Sequence, residues 1–258
     1  MLILDVDGVS LEAMWWGSPE TPTLVLLHEG LGSVALWRDF PQRLAEATGC
    51  SVFAYSRPGY GQSDPVTLPR PLTYMHDEAR RLPAVLDAAG VRRAVLVGHS
   101  DGGSIAAIAA GSRYDARIRG LVLIAPHFFV EDEGIRAIET IRDAYKTGTL
   151  RQSLAKYHRD VDVAFWGWNG AWLDPAFRHW RIDEFLPYIR VPTLLLQGED
   201  DSYGTIAQLR IVEELAYGPV ETVLVSGAKH SPHLEAATPV LEAIAEFSAR
   251  IWSHEHAL

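Results

Sequence analysis

The sequence predicts an α/β protein: a mainly parallel sheet of eight strands, covered on both faces by helices. Three observations carry this. Short apolar runs alternate with helix-like stretches from Thr23 to Trp252, the rhythm of repeated strand–helix–strand units. Several runs, such as Thr23 to His28 and Gly120 to Ala125, are apolar without a break, which suits strands buried on both faces. A third run, Ala94 to Gly98, leads through His99, Ser100 and Asp101 into Gly102, Gly103 and small residues as far as Gly111. That is a strand, a sharp turn and a helix.

In chain order, residues 2–6 and 9–16 read as two strands joined at Asp7-Gly8, a hairpin signal. Gly17 to Pro22 reads as a turn. The strand Thr23 to His28 is followed by a glycine loop, Glu29 to Ser33. Trp37 to Ala47 reads as a helix with Phe40, Leu44 and Ala47 on one face. The strand Ser51 to Tyr55 ends in a turn-rich loop, Arg57 to Ser63. Thr73 to Ala89 is a helix with Gly90 as its stop signal. The Ala94 strand, its helix and the Gly120 strand come next.

Residues 127–190 break the rhythm. Arg136 to Tyr145 and Leu150 to His158 have helical periodicity, and Phe165 to Trp180 is dense in aromatic residues. After Pro192 the alternation resumes: strand Thr193 to Gln197, helix Ile206 to Ala216, strand Glu221 to Val225, amphipathic helix Val240 to Trp252. The polar tail Ser253 to Leu258 is expected to fray. The organisation that follows is a core of residues 1–126 and 191–258, with residues 127–190 inserted as a helical lid.

A chain of 258 residues has room for one large α/β domain or two small ones. A net charge of −10 argues against nucleic acid or an anionic membrane as partner, and it mildly repels polyanionic substrates. The lone cysteine, Cys50, allows no intrachain disulfide, which fits a cytoplasmic compartment; it reads as a gap-filler before a strand. Met1 to Asp7 has neither the basic start nor the long apolar stretch of a signal peptide. No apolar run approaches the ~20 residues that span a bilayer. No motif asks for a metal or cofactor, and homo-oligomerisation is left open.

Chemistry points to the turn at Ser100. The spacing Gly98-x-Ser100-x-Gly102 is that of a nucleophile elbow, where a strained turn lifts the serine Oγ off the sheet. The flanking glycines are needed because strand and helix backbones come too close for a Cβ. A serine hydroxyl is a weak nucleophile, so it needs a base, and the base needs an acid to fix its tautomer. Functional groups of parallel sheets gather beyond the carboxyl ends of the strands. The loop after Val225 supplies His230 and His233; His230 is preferred because it lies nearer the strand end. The loop after Gln197 supplies Glu199, Asp200 and Asp201, of which Asp201 is chosen, with Asp200 the alternative and Asp132 a poorer one. The order Ser100, Asp201, His230 is the one expected of this triad type.

Over essentially its full length the chain resembles the α/β-hydrolase superfamily, in its serine-nucleophile, esterase/thioesterase-like branch. The resemblance rests on Gly98 to Gly103, Ser56 to Ser63, Gly198 to Asp201 and His230 to Glu235. It agrees with the choice of Asp201 and His230. It also implies an oxyanion hole made by the backbone N–H groups of Asp101 and Gly30. Where the family usually has His-Gly, this chain has His28-Glu29; Glu29 either makes a local structural bond or lines the pocket and favours a cationic or hydroxylated group. His28 and His99 read as packing residues.

Half of the chain's eight tryptophans fall between Phe165 and Trp180. They either pack the lid or form an apolar acyl pocket that excludes water. The substrate-binding candidates are Glu29, Phe128, Phe129, Trp166 and Trp168, with His127 also close to the sixth strand. Arg178 and Arg181 read as solvated lid charges. The expected activity is hydrolysis of a small-molecule carboxylic ester or thioester with an apolar or aromatic acyl part, through an acyl-enzyme. The alternatives are carbon–carbon hydrolysis of a diketone by the same triad, or a non-catalytic receptor on this scaffold. Dehalogenases and epoxide hydrolases of this fold would carry aspartate at position 100.

Overall fold

A computed structural model describes residues 1–18 and 21–255, with His254 and Glu255 described by backbone alone. Eight strands form one sheet: β1 (Leu2–Val6), β2 (Val9–Trp16), β3 (Thr23–Leu27), β4 (Ser51–Tyr55), β5 (Ala94–His99), β6 (Ile118–Ile124), β7 (Thr193–Gly198) and β8 (Val220–Val225). Their order is β1-β2-β4-β3-β5-β6-β7-β8. β1 and β2 run antiparallel to each other, β2 runs antiparallel to β4, and the rest of the sheet is parallel. The first turn is the expected one: Asp7 and Gly8 both have positive φ, 53° and 78°, as a primed two-residue hairpin demands.

Alternation along the central strands divides the core in two. Val25, Leu27, Phe53, Leu96, Leu121 and Leu123 face one side, packed by α2 (Tyr74–Ala88) and α3 (Asp101–Ser112). Leu24, Leu26, Val52, Ala54, Val95 and Val97 face the other, packed by α1 (Phe40–Thr48) and α9 (Ala237–Glu255). Both faces are dry, which is why these strands read as unbroken apolar runs. From β3 the chain first steps to β4 and then returns across β3 to β5. Loops leaving β3 and β5 therefore open into a crevice at the carboxyl edge, the usual ligand position in such sheets.

The helix expected from Trp37 begins later. A short 3-10 turn, Val34–Trp37, ends at Arg38 with φ 55°, and α1 starts at Phe40. Pro41 is the reason: in a helix running from Trp37 it would have to donate an N–H it lacks, whereas in a first turn none is needed. Between β6 and β7 lie α4 (Asp132–Thr147), α5 (Leu150–Leu154) and α6 (Val161–Trp172), then 3-10 turns at Pro175–His179 and Asp183–Tyr188. The helix expected over 150–158 stops after one turn. The His158 ring instead accepts the Gly61 N–H at 3.0 Å and donates to the Leu31 carbonyl at 3.0 Å, tying this segment to the core. α6 was not legible as a helix because it is apolar nearly all round and shows no amphipathic stripe. Its start was signalled: Asp160 caps the N–H groups of Asp162 and Val163 at 3.1 and 3.0 Å.

α7 (Ala207–Leu215) and the short α8 (Pro232–Glu235) complete the order. α9 continues to Glu255 where fraying was expected from Ser253. The expectations for Pro19 and Glu20 within the 17–22 turn, and for the tail from 256 to 258, lie outside the described residues. Among the described residues no helix is long and apolar enough to cross a membrane.

Candidate active site

Ser100 stands between β5 and α3 with φ 52° and ψ −119°, a conformation an L-residue adopts at a cost of roughly 1–3 kcal/mol. The surroundings over-determine it. The Ser100 N–H donates to the Ile124 carbonyl at 2.8 Å, and the Ser100 carbonyl accepts from the Gly103 N–H at 2.8 Å. The flanking glycines are obligatory. A Cβ on Gly98 would lie 2.2 Å from the Gly102 carbonyl oxygen, and one on Gly102 would lie 1.9 Å from that of Leu27.

The base and acid arrive on adjacent loops. The loop after β7 turns so that the Asp201 N–H reaches the Gly198 carbonyl at 3.2 Å, and the Asp201 carboxylate accepts the Tyr203 N–H at 2.8 Å. Gly198 lets the β8 loop pass over it, since a Cβ there would sit 2.1 Å from the Lys229 carbonyl oxygen. This crossing brings His230 Nδ1 to 3.0 Å from both oxygens of Asp201. Nε2 of the same ring lies 3.0 Å from Ser100 Oγ. With Nδ1–H donating to the carboxylate, Nε2 is left as the acceptor that faces the serine hydroxyl. Burial pushes the Asp201 carboxyl up, but the His230 hydrogen bond and charge, with the Tyr203 N–H, outweigh it and hold the pKa below its usual value.

Neighbouring rings fix His230. The Tyr203 ring lies against it, 4.4 Å between centroids. Nε2–H of buried His99 donates to the His230 carbonyl at 2.8 Å. His233 is buried too, its ring packed on those of Trp37, Phe40 and His99. Its pKa falls well below the usual value, first through burial and then through the nearby histidine charges. Among the described residues neither Asp200 nor Asp132 hydrogen-bonds or ion-pairs with His230, and Asp132 pairs with Arg178.

Ser100 lies on the floor of a cavity of about 340 Å³, large enough for a small organic ligand. Glu29, Gly30, Asp101 and Trp168, all singled out from the sequence, line it. Among the described residues the main-chain N–H groups of Gly30 and Asp101 donate to no protein acceptor. Gly30 cannot carry a side chain, because a Cβ would overlap the Trp168 indole at 2.1 Å from Nε1. For Glu29 the structure shows two placements. It lines the cavity, and its Oε2 lies 3.7 Å from His99 Nδ1. Burial would raise its pKa, yet His99 prevails and lowers it.

Three expected pocket residues are misplaced. Phe128 is fully buried, held by its N–H donating to Gln208 Oε1 at 2.7 Å, because the chain enters the core directly after β6. Phe129 pairs with Arg181 in an isolated bridge and under its guanidinium. Trp166 packs edge-on to Tyr145 and Phe165, on the side of α6 away from the cavity. The residues that do line it from this segment include Ile138, Ile141, Leu150 and Trp172, with His127 beside them. Trp172 is six residues beyond Trp166, and only the fact that α6 is a helix tells the two apart. Arg178 and Arg181 pair with Asp132 and Asp183 at the surface.

Two buried groups stand behind the serine: His127, already named from the sequence, and the Asp101 carboxylate, which was not foreseen. The Asp101 carboxylate accepts from Tyr74 Oη at 2.5 Å and Trp172 Nε1 at 3.2 Å, so it joins the elbow to α6. Burial raises its pKa, opposed by the charge of Arg57. His127 is held down to about 3, by burial first and the His230 charge second, and is a neutral wall. Among the described residues no group of three His, Cys, Asp or Glu side chains is arranged to hold a metal.

The doubly wound sheet and the hydrogen-bonded row of Ser100, His230 and Asp201 at its carboxyl edge define a hydrolase enzyme. A sequence model of the alpha/beta hydrolase family matches residues 24–243, and the chain belongs to that family. It is similar to human serine hydrolase BPHL, 28% identical over 242 residues that cover 90% of this chain and 80% of that protein. A hydrolase of Paraburkholderia phymatum, named for 2-hydroxy-6-oxononadienedioate and its trienedioate, is 35% identical over 138 residues, half of this chain and 46% of that one. Among solved structures, the enol-lactonase of Burkholderia xenovorans superposes with a TM-score of 0.75 at 20% identity, covering 96% of this chain and 100% of that one, a likeness of fold.

Proposed function

We propose that the protein hydrolyses a small carboxylic ester or thioester with an apolar or aromatic acyl part, through an acyl-enzyme on Ser100. The observation that carries this is Ser100 Oγ, 3.0 Å from His230 Nε2, at the floor of a cavity walled by Ile138, Ile141, Leu150, Trp168 and Trp172. His230 takes the Oγ proton as Oγ attacks the carbonyl carbon, and hands it to the leaving alkoxide or thiolate. Water, deprotonated by His230, then releases the acid and restores the serine. Asp201 holds the imidazole tautomer and offsets the imidazolium charge. The N–H groups of Gly30 and Asp101 hold the oxyanion, each such donor worth about 10²–10³ in rate. Residues 127–190 act as the lid over the core of residues 1–126 and 191–258, excluding water with Trp168 and Trp172. Cytoplasmic work fits the single buried thiol of Cys50.

Carbon–carbon hydrolysis is the second reading, favoured by the similarity to the Paraburkholderia hydrolase. The substrates in that name are dianions. Besides Asp101, whose carboxylate is bonded to Tyr74 and Trp172, two acidic residues, Glu29 and Glu235, line the cavity against one ammonium, Lys229, so an uncharged or cationic ester fits better. Intact-mass analysis after a fluorophosphonate probe is expected to show one adduct, on Ser100, competed by esters or thioesters more strongly than by diketones. Absence of the adduct refutes the serine-hydrolase reading, and competition by diketones alone moves it to the second.

Glu29 gives a further expectation. Replacing it with glutamine removes one negative charge from the cavity wall, worth about 1–2 kcal/mol to a charge some 8 Å away. kcat/KM for an ester with an ammonium on its acyl part should fall about tenfold. That for a carboxylate-bearing ester should rise about tenfold, and a neutral ester should change little. Equal responses from all three would assign Glu29 to structure alone.

A further inference from the structure

The loop after β4 holds a side chain that the proposed chemistry leaves unused. Arg57 is 1% exposed, and its guanidinium donates to two main-chain carbonyls instead of a carboxylate. Nη1 donates to the carbonyl of His28, and Nη2 to that of Glu29 at 2.9 Å. Asp101, Glu29 and Glu78 feel its charge, but among the described residues none pairs with it directly, and burying a charge on these terms is costly, so its place needs a reason. His28 joins it. The Arg57 N–H donates to His28 Nε2 at 3.0 Å, which leaves the proton of the neutral ring on Nδ1, and Nδ1–H donates to the Glu29 carbonyl at 2.7 Å. Burial, then the Arg57 charge, drive the His28 pKa far down and keep the ring neutral. Tyr60 packs against both, its ring 5.1 Å from that of His28 and 5.2 Å from the guanidinium carbon.

The Glu29 carbonyl and the Gly30 N–H are the two ends of one peptide group. In a trans peptide they point in opposite directions. Three donors meet on that carbonyl, the Gly32 N–H at 3.1 Å, His28 Nδ1–H and the Arg57 cation, and together they turn the Gly30 N–H away from Arg57. They also draw electron density through the amide, and linked hydrogen bonds strengthen one another. The ionised carboxylate of Glu29 works against an oxyanion nearby, and the guanidinium offsets it.

We infer that Arg57 and His28 are positioning residues that pin and polarise the Glu29–Gly30 peptide, making the Gly30 N–H a stronger donor to the transition-state oxyanion. This rests on the oxyanion role given to Gly30 above.

The test is Arg57→Gln beside the wild-type enzyme, with circular dichroism as the check on folding. kcat for p-nitrophenyl butyrate should fall about 10²-fold, with KM within about twofold, because the donor acts in the transition state. Affinity for a trifluoromethyl ketone, which forms a tetrahedral adduct on the serine, should fall by the same factor. The carbonyl stretch of an acyl-enzyme trapped from a cinnamoyl ester should move to higher frequency. Arg57→Lys, with the charge kept and one donor lost, should fall between the two. Unchanged kcat and an unmoved stretch, while Ser100 is still acylated, overturn the inference and leave the hydrolase reading intact. Should Arg57→Gln fail to fold, Arg57→Lys decides, and equality with wild type in both readouts overturns it. A wild-type enzyme that never acylates on Ser100 defeats the hydrolase reading, and this inference with it.

Discussion

Ser100→Ala is expected to lower kcat for a short p-nitrophenyl ester by about 10⁶, leaving only the rate that binding and the oxyanion donors supply. His230→Gln should cost about as much, and the double variant little more, since nucleophile and base act as one unit. Asp201→Asn should cost about 10⁴, because an amide can hold the ring only in the wrong tautomer. The fold should be untouched. Alanine keeps the strained φ of 52° at no new steric cost, and the backbone bonds to Ile124 and Gly103 remain. Ser100→Gly is informative in the opposite direction. Glycine occupies positive φ freely, so the inactive variant should be more stable than wild type by part of the roughly 1–3 kcal/mol stored at the elbow. Turnover above about 1% in Ser100→Ala would move the nucleophile elsewhere. A glycine variant no more stable than the alanine one would deny the strain.

The second large effect is acid lability. His28, His127 and His233 are buried, with pKa values depressed in the folded protein, in each case by burial first. Above about pH 6.5, the usual histidine value, folded and unfolded chains are both neutral at these positions and stability is complete. Below it the unfolded chain binds protons that the folded chain refuses, so stability falls with pH. His127, held down to about 3, costs about 2 kcal/mol by pH 5, and His28 and His233 add to the loss in the same direction, against a total of about 5–15 for a typical domain. Asp101 and Glu78 work the other way, since burial raises both and the native state takes their protons first. Asp201 and Glu29, whose pKa values are lowered, add to the loss only as pH drops into the carboxylate range. Urea unfolding at pH 8, 6.5 and 5 should show the decline beginning in the histidine range, and His127→Gln should remove one proton from its slope. A stability that stays flat down to pH 5 would contradict the neutral burial of these rings.

Most of the architecture was legible because this fold writes its strands as apolar runs and its elbow as glycines that sterics require. Ser100, Asp201 and His230 could be picked out because each lies within a few residues of a strand end, where position along the chain fixes position in space. Phe128, Phe129 and Trp166 failed for the converse reason. Phe128 and Phe129 lie before α4, where the chain enters the core and then bridges to Arg181, and Trp166 lies on α6, where two residues along a helix turn a side chain to the far face; in each case tertiary packing decides what meets the cavity. Trp172 and Tyr203 were within reach of the same reading, one helical turn from Trp168 and two loop residues from Asp201. Arg57 stands in the Ser56–Ser63 loop, one of the stretches that carry the family resemblance. Its partners are main-chain carbonyls, which carry no signature in the sequence.

Ser100 and His230 meet across 130 residues of chain, and His230 leaves the sheet from β8, the strand at its far edge. During synthesis the elbow can fold long before the base exists. Hydrolase activity that needs His230 should therefore be silent until β8 has docked on β7 and α9 has closed behind it. Appearance of activity in a ribosome-release time course would mark the final step of assembly. A cut in the loop before β8 would disarm the enzyme without disturbing the strained serine.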